Sequence, residues 1–134
     1  MTPTRVRRLA RIARAQRAIA ERAARAHAGA VAAHARSEAD AGAIVASLNT
    51  ESPLHGLLTG MMAGALMRNA VETHRLSRDM AAADTLLRRE TSRADALESR
   101  AEGARRTLGK TASRHALEEL VMLAAGARKG RRDG

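Results

Sequence analysis

The side chains best equipped for chemistry in this chain are its five histidines, and of these only His27 and His34 stand in a regular relation, seven residues apart. On a helix, seven residues are two turns, or about 10 Å. That is too far to share one ion, whereas two-histidine metal sites on a single helix use spacings of three or four. The serines sit in no strand-turn-helix context of the kind that presents a nucleophile. With no cysteine in the sequence, thiol catalysis, zinc-thiolate binding and disulfides fall away together. No catalytic centre, cofactor site or metal site is therefore expected, and the histidines read as members or flanks of a helical seam.

The composition narrows what kind of elements carry them. In 134 residues there is no Phe, Tyr or Trp, and hydrophobic residues make up 45%. Alanine supplies most of that fraction, and a methyl contributes about 0.8 kcal/mol on burial against roughly 1.5 to 3 kcal/mol for a whole Leu or Val. Thin helix pairing suits such a sequence better than a deep globular core. Ala, Arg, Leu and Glu are strong helix formers and only two prolines interrupt them, so the chain reads as all-α.

A net charge of +10 implies attraction to something acidic: nucleic acid, an anionic membrane or an acidic protein surface. The opening MTPTRVRRLARIARAQRAIA is Arg-rich and free of acid, as organellar presequences are. The same pattern continues past Glu21 without a change of character, however, and there is no apolar core of a secretory signal.

Both prolines sit in one context, Thr2-Pro3 and Ser52-Pro53, a capping hydroxyl followed by proline at the first helical position. These mark two helix starts. The spacing predicts helix 1 over about 3–49, a turn over about 49–53, helix 2 over about 53–126 and a basic flexible tail over 127–134. At 1.5 Å per residue helix 1 would be roughly 70 Å long, and a helix of that length needs a partner throughout.

Helix 2 supplies it. From Leu66 a heptad runs through Thr73, Met80, Leu87, Ala94, Ala101 and Leu108 at one seam position. Asn69, Leu76, Ala83, Glu90, Leu97, Ala104 and Thr111 occupy the other, with Asn69 and Glu90 as polar register marks. Helix 1 carries Val6, Leu9, Ala13, Gln16, Ala20, Ala23, His27, Ala30, His34, Ser37, Ala41, Ile44 and Leu48. The expected fold is a long antiparallel two-helix coiled-coil hairpin in which helix 2 is the longer, and a tight turn sets residue i opposite about 105 minus i. Beyond Gly103 and Gly109, the face of Leu117, Leu120, Val121 and Ala124 either continues helix 2, the favoured reading, or forms a short third helix.

Two surfaces stand out for binding. SPLHGLLTGMMAGALM, Ser52 to Met67, lacks any charged residue, but its apolar run is short of the ~20 residues a bilayer core requires. Gly56, Gly60 and Gly64 form a small-residue ridge expected to let the hairpin close tightly, while Leu57, Met61, Met62, Leu66 and Met67 remain for packing or docking. At the other end of the hairpin, Arg5, Arg7, Arg8, Arg11, Arg14, Arg17, Arg22 and Arg25 form a cluster. It reads either as a solvated face partly paired to Asp84, Glu90 and Asp95, or as a docking site for an acidic partner.

A short basic chain opening with RVRRLARIARAQRAIAERAARAHA, turning once and finishing with RHALEELVMLAAGARKGRRDG resembles the FliJ/YscO family, the central-stalk proteins of flagellar and type III secretion export. The resemblance covers nearly the whole chain and rests on layout and composition. It implies a non-enzymatic protein, cytoplasmic and peripheral to the inner membrane, that links a hexameric export ATPase (FliI-like) to an export gate protein (FlhA-like) and extends to export chaperones as partners. By position, the ATPase contacts would be Arg7, Arg8, Arg11, Arg14, Leu117 and Leu120, and the gate contacts Ile44, Leu48, Leu57, Met61, Met62 and Leu66. The chain departs from the family in having no aromatic residue near the gate-binding region. Two other readings of the same composition are a small basic nucleic-acid-binding protein and an amphipathic coiled coil lying on a membrane surface.

Overall fold

A computed structural model of the chain describes residues 2–50 and 55–132. Among the described residues there are two helices, α1 (Pro3–Leu48) and α2 (His55–Arg132), and no strand. The two pack against each other as an all-α hairpin, α1 with 46 residues and α2 with 78. Thr2 caps α1: its Oγ1 accepts the Arg5 N–H at 3.3 Å, with Pro3 at the first helical position where an N–H would have no partner. The corresponding Ser52-Pro53 start lies outside the described residues. At the far end the helix tightens, the Asn49 N–H reaching the carbonyls of Val45 and Ala46 and the Thr50 N–H that of Ser47. The Thr50 hydroxyl adds a bond to the Ala46 carbonyl at 3.1 Å, so the Val45, Ala46 and Ser47 carbonyls of the last turn find partners.

The chain divides into two units, one of Met1–Arg17 with Arg93–Gly134 and the other of Ala18–Ser92. In the first, the terminal unit, the fully buried part of the seam is mostly alanine. Val6, Ala13, Ala94, Ala101 and Ala104 are buried, Ala94 completely, with Leu9, Gln16, Leu97 and Leu108 half-buried beside them. In the second, the turn unit, Ala20, Ala23, Ser37 and Glu90 are buried. Around them His27, Ala30, His34, Ala41, Ile44 and Leu48 of α1, and Leu66, Asn69, Thr73, Leu76, Met80, Ala83 and Leu87 of α2, are half-buried. The heptad reading thus selects the inward face at every position but Thr111, which is exposed.

The register differs from the tight-turn expectation. Ser37 meets Asn69 and Thr73 rather than residue 68, His27 approaches Asp84 rather than residue 78, and Arg17 reaches Asp95 and Glu98 rather than residue 88. Side chains on a helix tilt toward its N-terminus. In an antiparallel pair, α1 side chains therefore lean away from the turn while α2 side chains lean toward it. Contacts consequently form between residues set further along α2 than a level count gives, and the offset is largest for the long arginine and smallest for serine.

α2 stays helical through Gly103 and Gly109 and on past Gly126 to Arg132, with no third helix among the described residues. From Gly109 to Arg131 every residue is exposed. Among the described residues, no other element packs on this stretch of helix.

Candidate functional site

The arginines of the terminal unit include Arg17, which is doubly paired, and a bare cluster near the start of α1. Arg17, on the flank of the seam next to Gln16, grips two carboxylates: its Nε donates to Glu98 Oε1, and its Nη2 to Glu98 Oε2 and Asp95 Oδ1, each at 2.7 Å. Hydrogen bonding to Arg17 holds the Glu98 carboxyl below the usual carboxylate range, and the same bonds raise Arg17 further. Arg7, Arg8, Arg11 and Arg14 are exposed and have no side-chain partner among the described residues. Of the acids expected to pair with the N-terminal arginines, Asp95 does so through Arg17, while Asp84 and Glu90 lie against other side chains. Asp84 lies 3.1 Å from Arg88 and 3.9 Å from His27, Glu90 lies 3.7 Å from Arg89, and Asp95 belongs to Arg17.

The charge is divided as sharply as the pairing. The terminal unit holds 16 Lys and Arg against 6 Asp and Glu, while the turn unit holds 8 against 8. The entire net charge of +10 thus belongs to the terminal unit, and the turn unit is neutral.

Leu117 and Leu120, with Val121 and Leu123, are 62 to 70% exposed. Continuing the seam spacing past Leu108 lands on Thr111, His115, Glu118 and Met122. At ~100° per residue, the strip of Leu117, Leu120, Val121 and Ala124 lies roughly 140° round the helix from that line. The apolar face of α2 therefore changes sides between Leu108 and Leu117, turning away from the side on which α1 packs within this unit.

In the turn unit the residues expected to dock a partner fall into two sets. Ile44, Leu48, Met62 and Leu66 are half-buried along the seam, whereas Leu57 and Met61 are 70% and 67% exposed. Met67, already among the residues left for docking, and Val71, which was missed, are each 73% exposed and share the outward face with Leu57 and Met61. Their spacing of four, six and four residues was the available signal. The glycine ridge also faces out. A methyl added at Gly56 or Gly60 would meet nothing within 4 Å, and at Gly64 only the guanidinium of Arg68 on the same helix. The ridge does not close the hairpin; it leaves a thin, uncovered strip between the exposed Leu and Met side chains.

No protein-family model, curated protein or solved structure matches this chain.

His27 and His34 take up half-buried seam positions, and His74 is exposed. His34 sits 3.8 Å from Glu38 beside an open groove of about 510 Å³ that also touches Asn69, Thr73 and His74. Among the described residues no three His, Cys, Asp or Glu side chains are grouped to hold a metal ion. Behind this groove lies a connected polar seam. The Ser37 and Thr73 hydroxyl oxygens are 2.5 Å apart, Asn69 Nδ2 donates to the Ser37 carbonyl at 3.0 Å, and Thr73 Oγ1 donates to Asn69 Oδ1 at 3.4 Å.

Proposed function

We propose that the chain is a non-enzymatic stalk and coupling protein of a bacterial flagellar or type III export apparatus, joining an export ATPase to an export gate. The observation that carries this reading is the segregation of two chemically different surfaces on one hairpin. The terminal unit combines an unpaired Arg cluster, all of the net charge and an uncovered apolar strip. The turn unit is neutral and exposes Leu57, Met61, Met67 and Val71 around a glycine ridge. A coupling protein needs partners of different character at its two surfaces, and this separation supplies them. Arg7, Arg8, Arg11 and Arg14 with Leu117 and Leu120 are assigned to the ATPase. Leu57 and Met61 are assigned to the gate, with Ile44, Leu48, Met62 and Leu66 supporting them from the seam, and empty export chaperones are further candidate partners. The working location is the cytoplasmic face of the inner membrane; among the described residues no helix is long and apolar enough to cross a membrane.

The test is to mix the chain with an export ATPase and measure binding and turnover. Stimulated turnover is expected, with the half-saturating concentration raised at least tenfold by replacing Arg7, Arg8, Arg11 and Arg14 with Gln. No binding and no effect on turnover would refute the proposal. The localised +10 also favours a second reading, nucleic-acid coating, whose mark would be affinity falling steeply with salt as counterions compete. Salt-sensitive retention of RNA or DNA at nanomolar chain, without any effect on an ATPase, would select that reading.

A further inference from the structure

We infer that the unpartnered stretch of α2 from Lys110 to Arg131 is a binding site for the surface of an anionic lipid bilayer. The inference stands apart from the export reading, since it rests only on how this stretch is built. All of its residues are exposed, and its apolar strip lies on the side turned away from α1, so no rearrangement of the hairpin is needed to uncover it. At ~100° per residue the charges can be placed relative to that strip. Lys110 and Arg128 continue the line of the strip beyond its two ends and Arg114 borders it, while Glu119 lies on the opposite side. Such an order matches an interfacial helix, which sinks an apolar face to the level of the acyl chains and sets cations among the headgroups. Anionic lipid also complements the charge of the unit in which this helix lies, to which each cation near the surface adds.

Other occupants fit less well. A second copy would bring one strongly basic unit against another. A nucleic acid would neutralise the cations but leave Leu117, Leu120 and Val121 in water. The stretch is not apolar enough to span a bilayer, so it lies on one. An ATPase that takes the same strip would compete with lipid, and the two states would alternate.

The chain has no cysteine, which makes a single-site reporter straightforward. Full-length chain carrying Val121→Cys or Glu119→Cys, each labelled with an environment-sensitive dye, is titrated with vesicles of phosphatidylcholine plus phosphatidylglycerol and with vesicles of phosphatidylcholine alone. Binding to the anionic vesicles with a blue shift at position 121 and none at 119 is expected. Leu117→Gln with Leu120→Gln should weaken binding by about tenfold or more, since each leucine loses its burial. Lys110→Gln with Arg114→Gln and Arg128→Gln should remove the preference for the anionic lipid. These positions are exposed, so circular dichroism should show unchanged helix content. The site is overturned if the dye at 121 stays in water while the chain sediments with vesicles, because charge alone would then hold it. It is equally overturned if the leucine variant binds as tightly as the parent, or if the chain dimerises with the 121 dye buried before lipid is added.

Discussion

Consider the polar seam of the turn unit under the replacement of Thr73 by its isostere valine. Thr73 gives its hydroxyl proton to Asn69 and stands 2.5 Å from Ser37 Oγ, which makes Ser37 the donor in that contact. Ser37 is only 5% exposed. After Thr73→Val its hydroxyl retains only the 3.5 Å approach of Asn69 Nδ2. A buried polar group left without a partner costs about 1 to 3 kcal/mol. The added methyl on the seam recovers part of this, and a net loss of about 1 to 2 kcal/mol follows. Ser37→Ala strands Thr73 on its long 3.4 Å bond but gains about half a kcal/mol of helix propensity, for a net loss of about 1 kcal/mol. The double replacement removes both members of the contact and leaves no stranded hydroxyl, so it should come out near neutral. The double-mutant cycle therefore predicts a coupling of about 2 kcal/mol or more between the two sites. Urea unfolding followed by circular dichroism at 222 nm measures it, the chain having no aromatic reporter. A double variant as unstable as the sum of its singles would refute the network.

Three further outcomes follow from the same structure. Ala94→Leu forces three extra carbons into a completely buried seam position and should cost about 1 to 3 kcal/mol, whereas Leu117→Ala on the exposed strip should shift stability by less than about 0.5 kcal/mol; paired thermal melts compare the two. Gly60→Ala should stabilise α2 by about 0.5 to 1 kcal/mol, since the helix gains propensity and the methyl meets nothing, and a loss of stability in urea titration would mean that the ridge is already packed. Glu98, held below the ordinary carboxylate range by Arg17, contributes stability that is present above its unfolded value and lost as pH falls through the lower folded one. Melting temperature should therefore drop on acidification below about pH 4, and by less in Glu98→Gln, a difference that parallel melts across pH would show.

How far the sequence carries can be judged element by element. The inward face was legible because a two-helix seam leaves a period in the sequence that survives even when its occupants are alanine, histidine and serine. Thr2-Pro3 marked its helix start equally well. Three features were not legible. The small-residue ridge at Gly56, Gly60 and Gly64 announces a thin side of the helix but not the direction in which it faces; only Leu66, Asn69 and Thr73, fixed toward α1, determine that it looks outward. Arg17 is one of eight similar arginines, and only the register that brings Asp95 and Glu98 alongside it singles it out. The change of face beyond Leu108 needed the seam to be located first, because an apolar run carries no memory of where the preceding face pointed.

The alanine seam also sets how this protein responds to temperature. Heat capacity of unfolding scales with the apolar area newly exposed, and here the fully buried positions are chiefly methyl groups, with 23 residues of α2 gaining little further exposure on melting. The increment should fall below the roughly 12 to 15 cal/mol/K per residue of ordinary domains. Its stability curve is correspondingly shallow, so warming or cooling alters its marginal free energy gradually, and unfolding spreads over a broad range of temperature.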